Sequence, residues 1–248
     1  MIEVRDIHMS FGETQVLNGI SAVFEAGKTS LIIGASGSGK STLARCMVGL
    51  IKPTAGEILY DERSFLGMGN KQKKALRTEI GFLFQGSALF DFMTVEQNIK
   101  FPLDMFTKLS LKDKQSRVDQ VLERVELSHA SKLLPAELSG GMKKRVGIAR
   151  AISPNPKYLF CDEPNSGLDP QTSIVIDKLI HEITVEYNTT TLIITHDMNS
   201  VMEIGDYILF IHQGEKAWEG DTVNILSTDN EVVSDFVYAS SFMRKARE

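Results

Sequence analysis

Eight consecutive positions, Gly34-Ala35-Ser36-Gly37-Ser38-Gly39-Lys40-Ser41, fit the pattern G-x-x-x-x-G-K-[ST] without deviation. Glycines let a backbone curl so that successive N–H groups point inward, and inward N–H groups cradle a phosphate. The apolar run Leu31-Ile32-Ile33 precedes the loop, and LARCMVGLI, which reads as a buried helix, follows it. A helix opening near Ser41 adds the partial positive charge of its N-terminus. In this cradle Gly34, Ser36, Gly37, Ser38 and Gly39 supply the wrapping backbone. Lys40 is placed to reach the β- and γ-phosphates of a nucleotide, Ser41 to ligate Mg²⁺, and Thr42 to hydrogen-bond the α-phosphate.

A second chemical feature is the acid pair Asp162-Glu163, which ends the apolar run Tyr158-Leu159-Phe160-Cys161. A strand apolar on both faces is central in a parallel sheet, and such strands deliver their last residues to the ligand edge. Adjacent acids there lose hydration and repel each other, so they belong either to a working site or to an exposed turn. With the phosphate loop upstream, Asp162 is expected to hold Mg²⁺ through water. Glu163, one residue on, is expected to act as general base on an attacking water.

These groups need an α/β scaffold, and the patterning supplies one. β-rich runs open the chain at Ile2 to Met9, Val16 to Phe24 and Ser30 to Ile33, with half-buried alternation in VLNGISAVF. GEILYDERSF reads as strand and turn, and IGFLFQ as a further strand. TVEQNIKFPLDMF, KDKQSRVDQVLERVEL and GMKKRVGIARAI carry helical spacing. YLFCDE and TTLIITH read as buried strands flanking the helix IVIDKLIHEITVEY, and YILFIHQ with KAWEG as a hairpin. Val232, Val233, Phe236 and Val237 suit a short amphipathic helix. The expected architecture is one domain. Residues 1–85 and 151–220 form an α/β core with a mainly parallel sheet and an N-terminal antiparallel β layer. Residues 86–150 are an inserted helical subdomain, and 221–248 a helical tail.

The chain has 248 residues, 42% of them hydrophobic, enough for a sizeable core. Its formal net charge of -5 argues against an electrostatic nucleic-acid binder. Cys46 and Cys161 both sit in apolar stretches and read as buried thiols in a reducing compartment. No stretch approaches the roughly 18 to 20 continuous apolar residues of a membrane span, and MIEVRDIHMSF lacks the pattern of a secretory leader. A soluble, cytoplasmic protein is expected. The basic run from Lys71 to Arg77 reads as a solvated face, with approach to lipid headgroups as the alternative.

Leu138-Ser139-Gly140-Gly141-Met142, ahead of the helix KKRVGIARAI and the acids at 162 and 163, resembles the signature of the ABC ATPases. The other motifs of that family follow in order over residues 1 to about 220. Gln85 ends IGFLFQ as the family's Q-loop glutamine does. Gly167-Leu168-Asp169-Pro170 is similar to its D-loop. His196 stands where the switch histidine stands, and Phe11 where an aromatic ring stacks on adenine. Met142 replaces the usual glutamine, Phe11 the common tyrosine, and Asn165-Ser166 a frequent threonine and small residue.

The resemblance implies an ATP-hydrolysing subunit that binds ATP and Mg²⁺ and pairs head-to-tail with a second copy. Ser139, Gly140 and Gly141 precede a helix and so form a second anion site, which closes over the nucleotide of the partner. Gln85 senses Mg²⁺ and the attacking water, and His196 holds the γ-phosphate and Glu163 in register. The stretch FQGSALFDFMTVEQNIKFPL, together with ELSGGMKKRVGIARAI, is most similar to the ATPases of Mla-type, MCE-associated phospholipid transporters. That implies permease subunits in the membrane, an MCE-type lipid-binding protein nearby, and a peripheral position on the cytoplasmic face of the inner membrane. Ala88, Leu89, Phe90, Phe92 and Met93 are then either tucked core or the docking surface for the permease, and docking is the expectation. Ribosomal and DNA-repair relatives carry paired cassettes, long coiled coils or zinc modules, and no such feature occurs here. Glu163 and His196 argue against a binder without turnover.

Overall fold

The computed structural model describes residues 1–239. The last part of the expected tail, 240–248, lies outside the described residues. Two sheets form the frame. The first is antiparallel, in the order β2-β1-β4-β5, from β1 (Ile2–Phe11), β2 (Thr14–Phe24), β4 (Ala55–Tyr60) and β5 (Arg63–Ser64). The second runs β10-β9-β3-β8-β7-β6, from β3 (Thr29–Ile33), β6 (Ile80–Leu83), β7 (Tyr158–Asp162), β8 (Thr190–Ile194), β9 (Tyr207–His212) and β10 (Glu215–Gly220). All its neighbours are parallel except β9 and β10, which form the expected hairpin.

Burial explains which runs became central. Every residue of β3 and β8 is buried, and in β7 only Asp162 is not. Strands apolar on both faces require cover on both sides. One side is covered by the antiparallel sheet and α1 (Lys40–Met47), with Phe24, Tyr60, Phe160 and Ile194 in a shared apolar cluster. The other is covered by α3 (Val95–Phe106), α4 (Leu111–Arg124), α5 (Gly140–Ile152), α6 (Pro170–Tyr187) and α7 (Met198–Ile204). Short helices α8 (Thr222–Leu226) and α9 (Glu231–Val237) close the described chain, the latter where an amphipathic helix is expected. α2 (Asn70–Arg77) carries the basic run; only Leu76 is buried, Lys71 and Lys74 are exposed, and Lys73 lies half-buried over the Phe65 ring. Cys46 and Cys161 are buried free thiols.

The helical segment packs closely onto the core sheet. Val118 and Val121 of α4 share one continuous apolar cluster with Leu159 and Ile193 of the sheet. α5 lies directly against β6: a Cβ added at Gly147 would stand 2.6 Å from Leu83 Cδ1. The signature helix is therefore part of the sheet's cover.

The loop between β6 and α3 is shaped by one buried amide. Asn98 is fully buried; its Oδ1 accepts from Phe90 N–H at 2.8 Å, and its Nδ2 reaches the carbonyls of Phe90, Met93 and Thr94 at 3.0 to 3.1 Å. Thr94 caps α3 by accepting from Gln97 N–H, and Gln97 returns a bond to Thr94 N–H. Replacing Asn98 with leucine keeps the volume but strands these backbone groups. Asn98→Leu is expected to lower stability by about 2–3 kcal/mol, read by urea unfolding. Protease cleavage confined to residues 88–94 is expected to rise with it.

Candidate functional site

The strand order decides what meets what. Gln85 follows β6, Glu163 follows β7, His196 follows β8 and the phosphate loop follows β3, and these four strands are consecutive neighbours. Their carboxyl ends therefore set the four groups side by side along one edge. That edge opens into a cavity of about 1280 Å³ lined by the loop, Gln85, Glu163 and His196.

The loop is built for close backbone approach. Gly34 has φ 143°, and a Cβ there would lie 2.1 Å from the carbonyl oxygen of Ile211. Gly39, with φ 107°, caps α1 without any side-chain hydrogen bond to its first turn. The first N–H groups of α1 are thus left for an anion. Ser38 Oγ is buried without a hydrogen-bond partner, as expected of a hydroxyl in a phosphate cradle. Lys40 Nζ donates to the carbonyls of Gly34 and Ala35 at 2.9 and 2.8 Å. Burial pulls its pKa down, against the charges of Glu163 and Asp162.

Ser41 Oγ lies 3.4 Å from Asp162 Oδ1. Burial, then the charge of Glu163, raises the pKa of Asp162. No group of three or more His, Cys, Asp or Glu side chains able to hold a metal occurs among the described residues. One hydroxyl and one carboxylate nonetheless match the donor set of Mg²⁺, which takes its remaining ligands from phosphates and water. Ser41 and Asp162 fit that ion.

Glu163 adopts φ 49°, the left-handed region, which costs a non-glycine residue about 1–2 kcal/mol. Its N–H donates to Ile194 O at 2.9 Å, and its carbonyl accepts from Lys144 Nζ at 3.1 Å. So held, its carboxylate turns to His196, with Oε1 2.9 Å from Nδ1. Gln85 Nε2 stands 3.4 Å from Ser166 Oγ beside the acid pair.

Two expected groups lie elsewhere. Phe11 sits at the tip of the β1–β2 hairpin, half exposed and outside the cavity lining; Val16 lines it instead. Ser139, Gly140 and Gly141 open α5, where Ser139 Oγ accepts from Met142 N–H at 3.2 Å. They border the D-loop: added Cβ atoms on the two glycines would meet Leu168 and Thr172. Within one chain they do not line the cavity. Asp169 of the D-loop caps α6 by accepting from Thr172 N–H at 3.0 Å, with Pro170 opening the helix.

Three features escape the sequence reading. The Asn165 side chain donates to Asp177 Oδ1 at 2.8 Å and to Ser200 Oγ at 2.9 Å, tying the segment after Glu163 to α6 and α7. This gives the unusual asparagine a reason, although its partners are remote in sequence. Lys144 is buried behind Gln85 and Glu163 with no motif to announce it. Phe236 and Val237 of α9 line the cavity.

Comparison with known proteins places these features in a family. Residues 17–166 match the family model described as ABC transporter. The methionine import ATP-binding protein MetN of Rhizobium johnstonii is 39% identical over 92% of this chain and 62% of its own length. The probable ribonucleotide transport ATP-binding protein mkl of Mycobacterium leprae is 35% identical over 95% of this chain and 68% of its own length. The chain thus spans about two thirds of such relatives or less. A solved dimeric ATP-binding cassette, in a post-hydrolysis state bound to ADP and Pi, superposes with a TM-score of 0.81 at 30% identity, covering 90% of this chain and 99% of that one.

The buried pair Asn165–Asp177 yields a pH-dependent expectation. Burial pushes the Asp177 pKa up to about 6 from an ordinary 3.8, outweighing the hydrogen bonds from Ser200 and Asn165. A carboxyl with a raised folded pKa holds its proton longer in the fold, so its penalty is full above that pKa and fades as pH falls below it. In urea unfolding, the stability of Asp177→Asn relative to wild type is expected to be highest near neutral pH. It should decline by up to about 3 kcal/mol as pH drops through 6 toward 4.

Proposed function

The chain belongs to the ABC transporter family as one of its ATPases, and on that premise we propose that it works as a head-to-tail pair whose ATP hydrolysis powers a membrane permease. The observation that carries the reading is the split site: the phosphate loop, Gln85, Glu163 and His196 share one cavity, while the signature at Ser139 to Gly141 borders the D-loop and does not line that cavity. A second copy, turned about a two-fold axis, brings its α5 N-terminus to the open side of that cavity. The dimeric form of the related cassette supports this arrangement.

The chain's own groups divide the work as follows. Lys40 exchanges the carbonyls of Gly34 and Ala35 for the β- and γ-phosphates. Glu163 Oε accepts a proton from the water that attacks the γ-phosphorus. His196 keeps that carboxylate turned to the water, Thr42 binds the α-phosphate, and Gln85 meets the water and metal from the β6 side. Phe11 stacks on the adenine from the hairpin. Ser41 and Asp162 would hold Mg²⁺, which when bound would offset charge on the phosphate oxygens. Loss of the γ-phosphate removes the anion shared by two helix N-termini, and the pair opens.

The permease is proposed to dock on the groove beside Gln85. Phe84, Ala88, Phe90, Phe101, Pro102 and Phe106 line a cavity of about 420 Å³ there. The expected apolar cluster divides in the fold. Leu89 packs against the core, Phe90 is half-buried against Phe101 at 4.8 Å between centroids, and Phe92 is 77% exposed. No helix among the described residues is long and apolar enough to cross a membrane. Such a subunit works from the cytoplasmic face, as a peripheral partner of the membrane chains.

For cargo we propose a phospholipid, delivered to or from an MCE-type lipid-binding protein, on the sequence likeness to Mla-type ATPases. A second reading, methionine import, is favoured by the 39% identity to a protein of that name. The cargo does not pass through this cavity, so the permease complex decides.

Glu163→Gln is expected to bind ATP with near-normal affinity, lower kcat by about 100-fold or more, and accumulate ATP-bound dimers in size-exclusion chromatography. Turnover near wild type would remove Glu163 from its role. In detergent extracts, the intact complex is expected to carry membrane subunits and bound phospholipid by mass spectrometry, and Phe92→Asp to lose the membrane subunits while still binding ATP. Methionine-stimulated ATPase without bound lipid would favour the second reading.

A further inference from the structure

Lys144 is 5% exposed, yet among the described residues no carboxylate forms a direct ion pair with it; Glu163 and Asp162 act on it only through space. Its Nζ donates instead to two main-chain carbonyls, that of Gln85 and that of Glu163, the latter at 3.1 Å. A buried ammonium with no carboxylate in direct contact is expensive unless its position is used. Its two partners are the backbones of two groups assigned to the hydrolytic water, and it sits on the helix that Ser139 caps. The same face of α5 grips the Q-loop twice more. Gly147 lets the helix approach Ser87, and Arg150 donates to the carbonyls of Ser87 and Ala88 at 2.6 and 2.8 Å. Ser87 and Ala88 have φ 60° and 46°, a left-handed pair that needs such anchoring.

We propose that Lys144 is a positioning residue for hydrolysis: its ammonium ties the main chain at Gln85 and Glu163 to the signature helix, so that their alignment follows the position of α5. The proposal rests on the ATPase reading above and extends it. An α-helix transmits displacement along its axis with little loss. A partner nucleotide that draws in the N-terminus of α5 moves Lys144, little more than one turn away, and with it both carbonyls. Gln85 and Glu163 are then aligned only when the signature is engaged. The grip of Arg150 beside Phe90 carries the same displacement to the docking groove.

The test compares wild type, Lys144→Met and Lys144→Gln in the full chain. Lys144→Met keeps the stem and removes the donor. It is expected to lower kcat about 10- to 100-fold while KM for ATP and ATP-induced dimerisation stay within about two-fold of wild type. Lys144→Gln restores N–H donors without charge and is expected to recover most of the lost kcat. A folded Lys144→Met protein with wild-type kcat overturns the proposal. So does a loss of ATP binding and folding in both variants, which makes Lys144 a core residue and nothing more. Absence of ATPase activity in wild type would overturn the ATPase reading itself, and this proposal with it.

Discussion

The parallel pairings of β6 with β7, β7 with β8 and β8 with β3 hold the site in register. Each strand ends at the same edge, so a one-residue slip in any pairing would turn a side chain of the candidate site to the opposite face. The pairings persist because their residues are buried on both faces, which only a two-sided cover allows. The apolar clusters on either side are thus a condition of the chemistry. Gly81 and Gly147 show how tight that condition is: a Cβ on either would collide with the neighbouring element at 2.5 and 2.6 Å.

The same burial sets the electrostatics. Desolvation lowers the pKa of Lys40 and Lys144 and raises that of Asp162 and Asp177. Left alone, each would favour neutrality. The fold answers with opposite charges, as between Lys40 and the acids, or with dipoles, as between Lys144 and two carbonyls. On the proposed function, a polyanionic substrate with its metal would meet this half-compensated field and supply charges it lacks.

Much of this was legible in the sequence, for a definable reason. The phosphate loop, the acid pair and the signature are contiguous, and their flanking strands and helices show the apolar period that fixes their context. What escaped depends on contacts between distant segments. The Asn165–Asp177–Ser200 bridge joins three elements, and neither spacing nor residue type marks its members. Lys144 looks like one more solvated cation of KKR until α5 is laid against β6. How the helical segment 86–150 seats on the sheet is not legible, because the apolar period of α5 does not say which neighbour receives it. The cluster from Ala88 to Met93 was seen as one feature, whereas Asn98 folds it into an inward and an outward part.

In the fold, Lys40 is fastened to the first two carbonyls of its own loop. The loop therefore supplies its own acceptors to the ammonium. Occupation becomes a partner exchange, with little change in the number of hydrogen bonds made by the ammonium. What changes is the quality of the acceptor: two partial dipoles give way to formal negative charge. On the proposed function the gain grows with the charge presented at the β and γ positions, so this contact of the loop favours ligands with the longer phosphate chain.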